Sequence, residues 1–218
     1  MPIELTQILD YQVRKPLVEI EDPKILFLFH GYGSHEQDLF SFADYLPETL
    51  LIISLRAPLS LSFGGYAWYS IYFNAAKDKW SDDEEAKSSQ KLILNNIEYH
   101  KKQFNSSHAK VSLLGFSQGA ILSWAVGLSH PDKIEHIIGL SGYINESIFT
   151  YSDSNLEHVK CFMSHGKEDL TIPIQWARNS ANTSKRKGVQ VSLLEYEAGH
   201  GINSENFSDL ITWLKKWS

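Results

Sequence analysis

Residues 110–129 read KVSLLGFSQGAILSWAVGLS, and this stretch indicates how the chain folds. The apolar run Lys110–Leu114 is typical of a buried strand, and Gln118–Ser129 has the apolar spacing of a helix. Between them, residues 115–119 (GFSQG) form a Gly-x-Ser-x-Gly pattern. A serine in a sharp turn between a strand and a helix has its hydroxyl exposed at the end of the strand. We therefore predict strand, turn and helix here, with Ser117 at the tip of the turn.

Sterics explain why this pattern requires glycine at two positions. The serine takes a strained backbone conformation, and neighbouring backbone packs too closely for a side chain at Gly115 or Gly119. The turn also places Ser117 at a helix N-terminus, where free N–H groups and the helix dipole favour negative charge. These properties suit a serine that attacks a substrate.

Six short apolar runs are predicted to be strands, and helical segments separate them. The predicted strands are Ile25–Phe29, Leu50–Leu55, Lys110–Leu114, Ile134–Leu140, Val159–Ser164 and Val189–Tyr196. The predicted helices are Glu36–Leu46, Asp82–Phe104, Gln118–Ser129, Ile174–Lys187 and Ser204–Trp217. This alternation indicates an α/β fold, with a mostly parallel central sheet and helices on both faces. No repeat or linker divides the chain, so we predict one domain over residues 1–218.

The longest predicted helix begins near residue 82. Ser81 and Glu84 have the N-cap and N3 spacing of a capping box, in which each side chain bonds the other residue's backbone N–H. We therefore expect Ser81 to be the N-cap of this helix.

The segment Ala57–Trp80 precedes that helix and has no periodicity of its own. Loops of this length are usually functional or disordered. An aromatic-rich composition argues against disorder, and six aromatic residues lie between positions 63 and 73: Phe63, Tyr66, Trp68, Tyr69, Tyr72 and Phe73. They are expected to fill a satellite core under the loop or to line an apolar pocket, and both roles can hold for different residues.

A serine hydroxyl is a weak nucleophile at neutral pH, so Ser117 needs a base and an acid that orients it, in the chain order Ser, acid, His. Of the five downstream histidines, His200 follows the last predicted strand in a glycine-flanked loop, and we predict it to be the base. His165 is expected to support the acid loop. That loop offers Glu168 and Asp169, of which we favour Asp169 because its shorter side chain holds an imidazole more rigidly. The alternative for either carboxylate is a helix N-cap or a solvated charge.

An oxyanion needs backbone donors, each worth about 2.7 to 4 kcal/mol in the transition state. One donor is expected from Gln118, the residue after the nucleophile. The other is expected from the loop HGYGS (30–34), which follows the strand Ile25–Phe29, and Tyr32 N–H is the candidate. The alternative is that this glycine-rich stretch is only a turn.

Seven motifs occur in order along the chain: HGYGS (30–34), RAP (56–58), GYAWY (65–69), GFSQGA (115–120), LSGY (140–143), HGKEDLTIP (165–173) and AGHG (198–201). Together they resemble the phospholipase/carboxylesterase family of α/β-hydrolases, which includes the acyl-protein thioesterases. The resemblance implies a serine carboxylesterase that hydrolyses carboxylic esters, thioesters or lysophospholipids through an acyl-enzyme. It implies no metal and no cofactor.

The same resemblance assigns roles to individual residues. Ser117, Asp169 and His200 would form the catalytic triad, and the resemblance adds to the preference for Asp169 over Glu168. Tyr32 and Gln118 would supply the oxyanion hole, and Trp68 would border the acyl site.

Two departures from the residues usual in the family, and the length of one connection, refine the expected activity. Ser34 and Ser70 stand where members close to the acyl-protein thioesterases usually carry aspartate, which favours a bacterial-type carboxylesterase over protein depalmitoylation. The stretch between Leu140 and Val159 is too short for a helical cap domain, so the site should be open. We expect varied leaving groups and a short to medium acyl chain against Trp68.

Charge and cysteine usage exclude several classes of partner. Lys and Arg number 20 against 26 Asp and Glu, a formal net charge of −6, so the chain lacks the basic surface typical of nucleic-acid or anionic-membrane binding. The single cysteine, Cys161, lies in a predicted strand and cannot form an internal disulfide. Glu4 and Asp10 interrupt the N-terminal stretch where a signal peptide would be apolar. We expect a cytoplasmic protein that binds a small acyl ester, without nucleic acid or stable membrane association.

Two alternative functions belong to other classes of protein. An α/β-hydrolase scaffold can lose catalysis and act as a ligand-binding protein, but the intact Ser, Asp and His set argues against this. A metallohydrolase would use His30, His165, Asp169 and His200, which lack the compact spacing of the usual metal motifs.

Overall fold

The computed structural model describes residues 3–4, 6–73, 79–106, 110–152 and 154–216. The strands, in chain order, are β1 Tyr11–Arg14, β2 Ile25–Phe29, β3 Leu51–Leu55, β4 Leu59–Ser60, β5 Tyr66–Ala67, β6 Ile71–Phe73, β7 Lys79–Ser81, β8 Val111–Phe116, β9 Ile134–Leu140, β10 Lys160–Gly166 and β11 Gln190–Tyr196. The helices are α1 Gln37–Phe40, α2 Asp83–Gln103, α3 Gln118–Ser129, α4 Ile174–Arg186 and α5 Ser204–Leu214.

A seven-stranded sheet in the order β1-β3-β2-β8-β9-β10-β11 organises the fold. Every neighbouring pair from β3 to β11 is parallel, and β1 alone among these seven strands runs antiparallel, against β3. The predicted α/β fold with a mostly parallel sheet is confirmed. Each predicted strand of the sheet is present with bounds within two residues, whereas the edge strand β1 was not predicted.

Side chains on the strands alternate between two apolar cores, one on each face of the sheet. On one face, Phe27 and Leu113 pack with residues of α2, α3 and α4. On the other, Leu26 and Leu114 pack with residues of α1 and α5. Burial on both faces explains why these strands read as continuous apolar runs in the sequence. Cys161 is buried on the first of these faces.

Two helix predictions need correction. The predicted helix Glu36–Leu46 is split into α1 and a 3-10 turn, Ala43–Tyr45. The N-cap of α2 is Asp82, whose carboxylate accepts a hydrogen bond from Glu85 N–H at 3.0 Å. Ser81 cannot be the cap because it is still the last residue of β7, paired with Ile71. Trp217, in the last predicted helix, lies outside the described residues.

Two short antiparallel ribbons occupy the aromatic segment before α2. Strand β4 pairs with β5, and β6 pairs with β7. Ribbons of two or three residues leave too little alternation to be recognised as strands in a sequence. This segment lies beside the carboxyl ends of the parallel strands, where open α/β sheets bind ligands.

No helix lies between β9 and β10 in the part of that connection that the structure describes, residues 141–152 and 154–159. This connection agrees with the expectation that the fold carries no separate cap domain. Across the described residues, none of the helices combines the length and apolar character that a membrane crossing requires.

Candidate active site

Ser117 occupies the tip of a strained turn. It links β8 to α3 with φ 52° and ψ −113°, and its N–H donates to the Leu140 carbonyl at 2.9 Å. A Cβ added to Gly119 would overlap the carbonyl of Phe29, and one added to Gly115 would overlap the backbone of Gly119. The steric reason predicted for both glycines is therefore present in the structure.

A chain of hydrogen bonds links Ser117 to His200 and Asp169. The hydroxyl Oγ of Ser117 lies 2.9 Å from His200 Nε2, and His200 Nδ1 lies 2.7 Å from Asp169 Oδ2. An ionised carboxylate can only accept, so Nδ1 carries the ring proton and Nε2 of the neutral imidazole accepts from Ser117. The structure thus brings together the three residues that the sequence singled out.

Asp169 is held ionised although its side chain is buried. Burial alone would raise its pKa, but the Ile172 N–H, the His200 imidazole and the Thr171 N–H stabilise the charge and bring the pKa below its ordinary value. Both backbone N–H groups donate to Oδ1 at 2.8 Å, which leaves Oδ2 for His200. The neighbouring Glu168 is exposed to solvent.

His165 contacts the same carboxylate from inside the protein. Its Nε2 lies 2.7 Å from the Ile172 carbonyl and 3.2 Å from Asp169 Oδ2. Both partners accept, so this nitrogen carries a proton and links the acid loop to the end of β10. Within the described residues, no three His, Cys, Asp or Glu side chains are arranged to hold a metal ion.

Two backbone N–H groups beside Ser117 are available as donors. Neither Tyr32 N–H nor Gln118 N–H bonds to another described residue, and both residues line the cavity that contains Ser117. Gly33, with φ +79°, donates its N–H to the Tyr66 carbonyl and so pins the loop that carries Tyr32.

An ionic brace also secures this loop, and no pattern in the sequence predicts it. Arg56, from the RAP motif, donates to both carboxylate oxygens of Glu36 at 2.6 Å and to Asp10 at 2.5 Å. Glu36 lies just after the HGYGS loop, and its bond from Arg56 lowers the pKa of the carboxyl group. The brace ties the loop to β3 and to the segment before β1.

Gln118 holds the aromatic segment against the nucleophile turn through its side chain. Its amide oxygen accepts from Trp68 N–H and its amide nitrogen donates to the Tyr69 carbonyl, both at 2.8 Å. The same residue thus offers its backbone N–H to the cavity and its side chain to residues 68–69.

Trp68 does not border the acyl site, contrary to what the resemblance implied. Its side chain is fully buried, its ring packs edge-on against Phe29, and its indole N–H donates to the His30 carbonyl at 3.0 Å. The neighbouring Tyr69 lines the cavity instead.

Of the other aromatics of the segment, Tyr66 takes one of the two expected roles, and Phe63 and Tyr72 take neither. Tyr66 packs on the core and under the Arg56 guanidinium, whereas Phe63 and Tyr72 are exposed. The side chain of Phe73 lies outside the described residues.

Ser117 and His200 open into a cavity of about 570 Å³. Its aromatic lining consists of Tyr32, Tyr69, Tyr143 and Trp176, and its aliphatic lining of Ile71, Ile121 and Ile172. The polar side chains lie at Ser81, Asp83, Asn145, Ser147 and Thr171. A mostly apolar cavity that contains an activated hydroxyl suits an acyl substrate.

His30 is a buried imidazole beneath the oxyanion loop, and its hydrogen bonds require the neutral form. Nδ1 lies 2.7 Å from the Gly31 carbonyl, and Nε2 accepts from Ala57 N–H at 3.0 Å. Protonation of Nε2 would place its N–H against the N–H of Ala57, and two donors cannot form a hydrogen bond. Burial lowers the pKa of His30 to about 4, and burial lowers that of His136 to about 4 as well.

Acid is expected to destabilise the protein through His30. The pKa of His30 is lower in the folded chain than the roughly 6.5 of an unfolded chain. Its contribution to the free energy of unfolding is therefore complete above about pH 6.5. This contribution falls by up to about 3 kcal/mol as the pH is lowered toward 4. Urea titrations across this range measure the effect. His30→Asn keeps an acceptor for Ala57 N–H and should show a shallower decline, and equal slopes in both proteins would contradict the assignment.

Comparisons with known proteins identify a matching family and related sequences. The sequence model of the Phospholipase/Carboxylesterase family matches residues 18–218. Acyl-protein thioesterase 1 of Kluyveromyces lactis is 28% identical over 209 residues, covering 88% of this chain and 91% of that protein. Esterase YpfH of Escherichia coli is 24% identical over 199 residues, covering 88% and 82% respectively.

Solved structures show the same fold. The carboxylesterase of Bacillus cereus superposes with a TM-score of 0.83 at 16% identity, over 96% of this chain and 94% of that one. Acyl-protein thioesterase 2 of Zea mays superposes with a TM-score of 0.72 at 19% identity, over 95% and 98%. The family match over nearly the whole sequence shows that this chain belongs to the phospholipase/carboxylesterase family of α/β-hydrolases.

Proposed function

We propose that this serine hydrolase cleaves small carboxylic esters and thioesters by acyl transfer through Ser117, His200 and Asp169. Family membership and the named esterase and thioesterase relatives establish hydrolysis of ester or thioester bonds as the general activity. The observation that carries the finer proposal is the hydrogen-bond chain from Ser117 to Asp169, which begins inside the apolar cavity.

In the first half of the proposed reaction, Ser117 Oγ attacks the carbonyl carbon while His200 Nε2 takes the hydroxyl proton. Asp169 holds the ring proton on Nδ1 and stabilises the imidazolium that forms. The N–H groups of Tyr32 and Gln118 receive the developing negative charge on the carbonyl oxygen. His200 then gives its proton to the leaving alcohol or thiol, and the acyl group remains on Ser117.

In the second half, water replaces the leaving group. His200 removes a proton from the water, whose oxygen attacks the acyl carbon, and the proton passes to Ser117 Oγ as the acid departs. The net reaction consumes one ester and one water and yields one acid and one alcohol. The hydrogen bonds of His200, with Nδ1 toward Asp169 and Nε2 toward Ser117, support its role as base at the start of both halves.

The cavity lining supports a small acyl substrate. Tyr69, Ile121 and Ile172 offer apolar surface close to Ser117, and burial raises the pKa of Tyr69, which keeps its hydroxyl neutral. The relatives named acyl-protein thioesterase support thioesters as a second substrate class.

Turnover of matched oxyesters and thioesters of increasing acyl length, combined with covalent labelling, tests this function. We expect hydrolysis in both series, and we expect a p-nitrophenyl phosphonate to stop it while modifying the peptide that carries Ser117. Turnover without modification of Ser117 would contradict the nucleophile. An absence of turnover on every ester would favour a ligand-binding protein.

A further inference from the structure

One carboxylate lies in the wall of the cavity that contains Ser117. The residues that line this cavity include Asp83 but, within the described part of the chain, no lysine or arginine. His200 also lines the cavity and could carry a charge, but its two ring nitrogens bond Asp169 and Ser117. Among the described residues, the cavity lining therefore combines an apolar surface with one carboxylate.

Asp83 differs from the acidic residues beside it. Asp82 caps α2, Glu84 pairs with Lys87 at 2.7 Å, and Glu85 accepts a backbone N–H at 2.6 Å. Of these neighbours, none lines the cavity. Each therefore has a partner within the protein and lies outside the space that a substrate would occupy.

The partners of Asp83 are neutral. Its Oδ2 accepts from Ser147 Oγ at 2.7 Å and its Oδ1 from Ser81 Oγ at 3.2 Å. Among the described residues, no basic side chain lies within ion-pair distance of it. Two hydroxyl donors orient the carboxylate without neutralising its charge, so a cation in the cavity would meet it directly.

Aromatic rings lie around the same space. The ring centroids of Tyr143 and Trp176 are 4.8 Å apart at an interplanar angle of 68°, and both rings line the cavity. Burial and then the charge of Asp83 raise the pKa of Tyr143, which agrees with the proximity of the two groups. Faces of aromatic rings together with a carboxylate favour ammonium groups, above all quaternary ones.

A second cavity of about 430 Å³ continues past the same rings. It shares Tyr143 and Trp176 with the first cavity, and its lining contains Glu146 and, among described residues, no lysine or arginine. Among the described residues, neither cavity wall therefore contains a lysine or an arginine.

We propose that the enzyme accepts esters that carry a cationic ammonium group, held between Asp83 and the rings of Tyr143 and Trp176. This inference rests on the proposed function, because the ester carbonyl must reach Ser117. The ammonium group remains unchanged in the reaction, and its recognition adds binding energy to the hydrolysis already described.

Two pairs of isosteric substrates test the proposal. The first pair is butyrylcholine and the butyrate ester in which a tert-butyl group replaces the trimethylammonium group. The second pair places the same two groups at the end of the acyl chain of a p-nitrophenyl butyrate. The kcat/KM of each ester is measured with wild-type enzyme, Asp83→Asn and, as a matched control, Asp82→Asn. Asparagine is as good an N-cap as aspartate, so the control removes one charge outside the cavity and keeps the helix cap.

We expect wild-type enzyme to prefer the cationic member of at least one pair by about tenfold. Asp83→Asn should abolish that preference while the neutral ester is still hydrolysed, and Asp82→Asn should retain it. A wild-type enzyme without preference in either pair, or a preference that survives in Asp83→Asn, would overturn the proposal. Failure of the neutral esters with wild-type enzyme would instead overturn the proposed function, and this proposal with it.

Discussion

Replacing Ser117 by alanine is expected to lower kcat on a p-nitrophenyl ester by about 10⁶-fold. The variant lacks the oxygen that attacks the carbonyl, so no acyl-enzyme can form. The N–H donors of Tyr32 and Gln118 remain, and any residual hydrolysis would reflect polarisation of the carbonyl alone. Initial rates over a range of substrate concentrations, measured against the uncatalysed rate, give the comparison.

A control variant separates loss of the nucleophile from loss of the fold. Ser141 is another serine with positive φ, at 51°, and it is buried and does not line the cavity. Ser141→Ala therefore makes the same chemical change in a comparable backbone conformation and should retain turnover. Urea midpoints close to the wild-type value in both variants would show intact folding, and near-normal turnover by Ser117→Ala would exclude Ser117 as the nucleophile.

Replacing Asp169 by asparagine is expected to lower kcat by about 10⁴-fold. The backbone N–H groups of Thr171 and Ile172 both donate to Oδ1, so the amide oxygen of asparagine would stay at that position. Its NH₂ group would then face His200 Nδ1 and force the ring proton onto Nε2. In that tautomer His200 presents a donor to Ser117 and cannot take its proton.

The adjacent acid gives a matched comparison. Glu168→Gln removes one negative charge next to Asp169 from an exposed side chain, and this variant should keep wild-type kcat. The two variants are assayed with the same p-nitrophenyl ester at several pH values. If Glu168→Gln lost activity and Asp169→Asn kept it, the acid would have been assigned to the wrong residue.

The buried strands and the chain order of the site residues could be predicted because their signals are local. The strand Ile25–Phe29 and the helix Gln118–Ser129 have the predicted bounds, since burial on both faces leaves unbroken apolar runs and the GFSQG turn separates strand from helix. Chain order then pointed to His200 and to the acid loop, because parallel strands place their carboxyl ends at one edge of the sheet. Side-chain length and the family resemblance favoured Asp169 over Glu168 in that loop.

The edge strand β1 could not be predicted from a local sequence pattern. It reads YQVR, which is short, polar and ends in arginine. Its stability comes from long-range contacts: Arg14 donates to the carbonyls of Ala43, Leu46, Pro47 and Leu50. A sequence window around the strand contains none of these partners, so the pattern of β1 alone favours no structure.

The orientation of Trp68 and Tyr69 could not be predicted for a related reason. Both are large aromatic residues next to each other in the chain, and either could have faced Ser117. The choice depends on the His30 carbonyl, which accepts from the Trp68 indole, and on Gln118, which bonds the backbone of both residues. The position of Asp83 in the cavity wall could not be predicted either, because the ribbon β6-β7 that leads into α2 has no recognisable pattern in the sequence.

The double role of Gln118 has a consequence for engineering this enzyme. Its side chain holds residues 68–69, while its backbone N–H is the donor that we propose for the oxygen of the reacting carbonyl. A designer who reshapes the cavity at Tyr69 also disturbs the backbone to which Gln118 is anchored. Substrate range and turnover rate are therefore coupled traits in this scaffold, and libraries that vary Tyr69 should vary the neighbours of Gln118 in the same round.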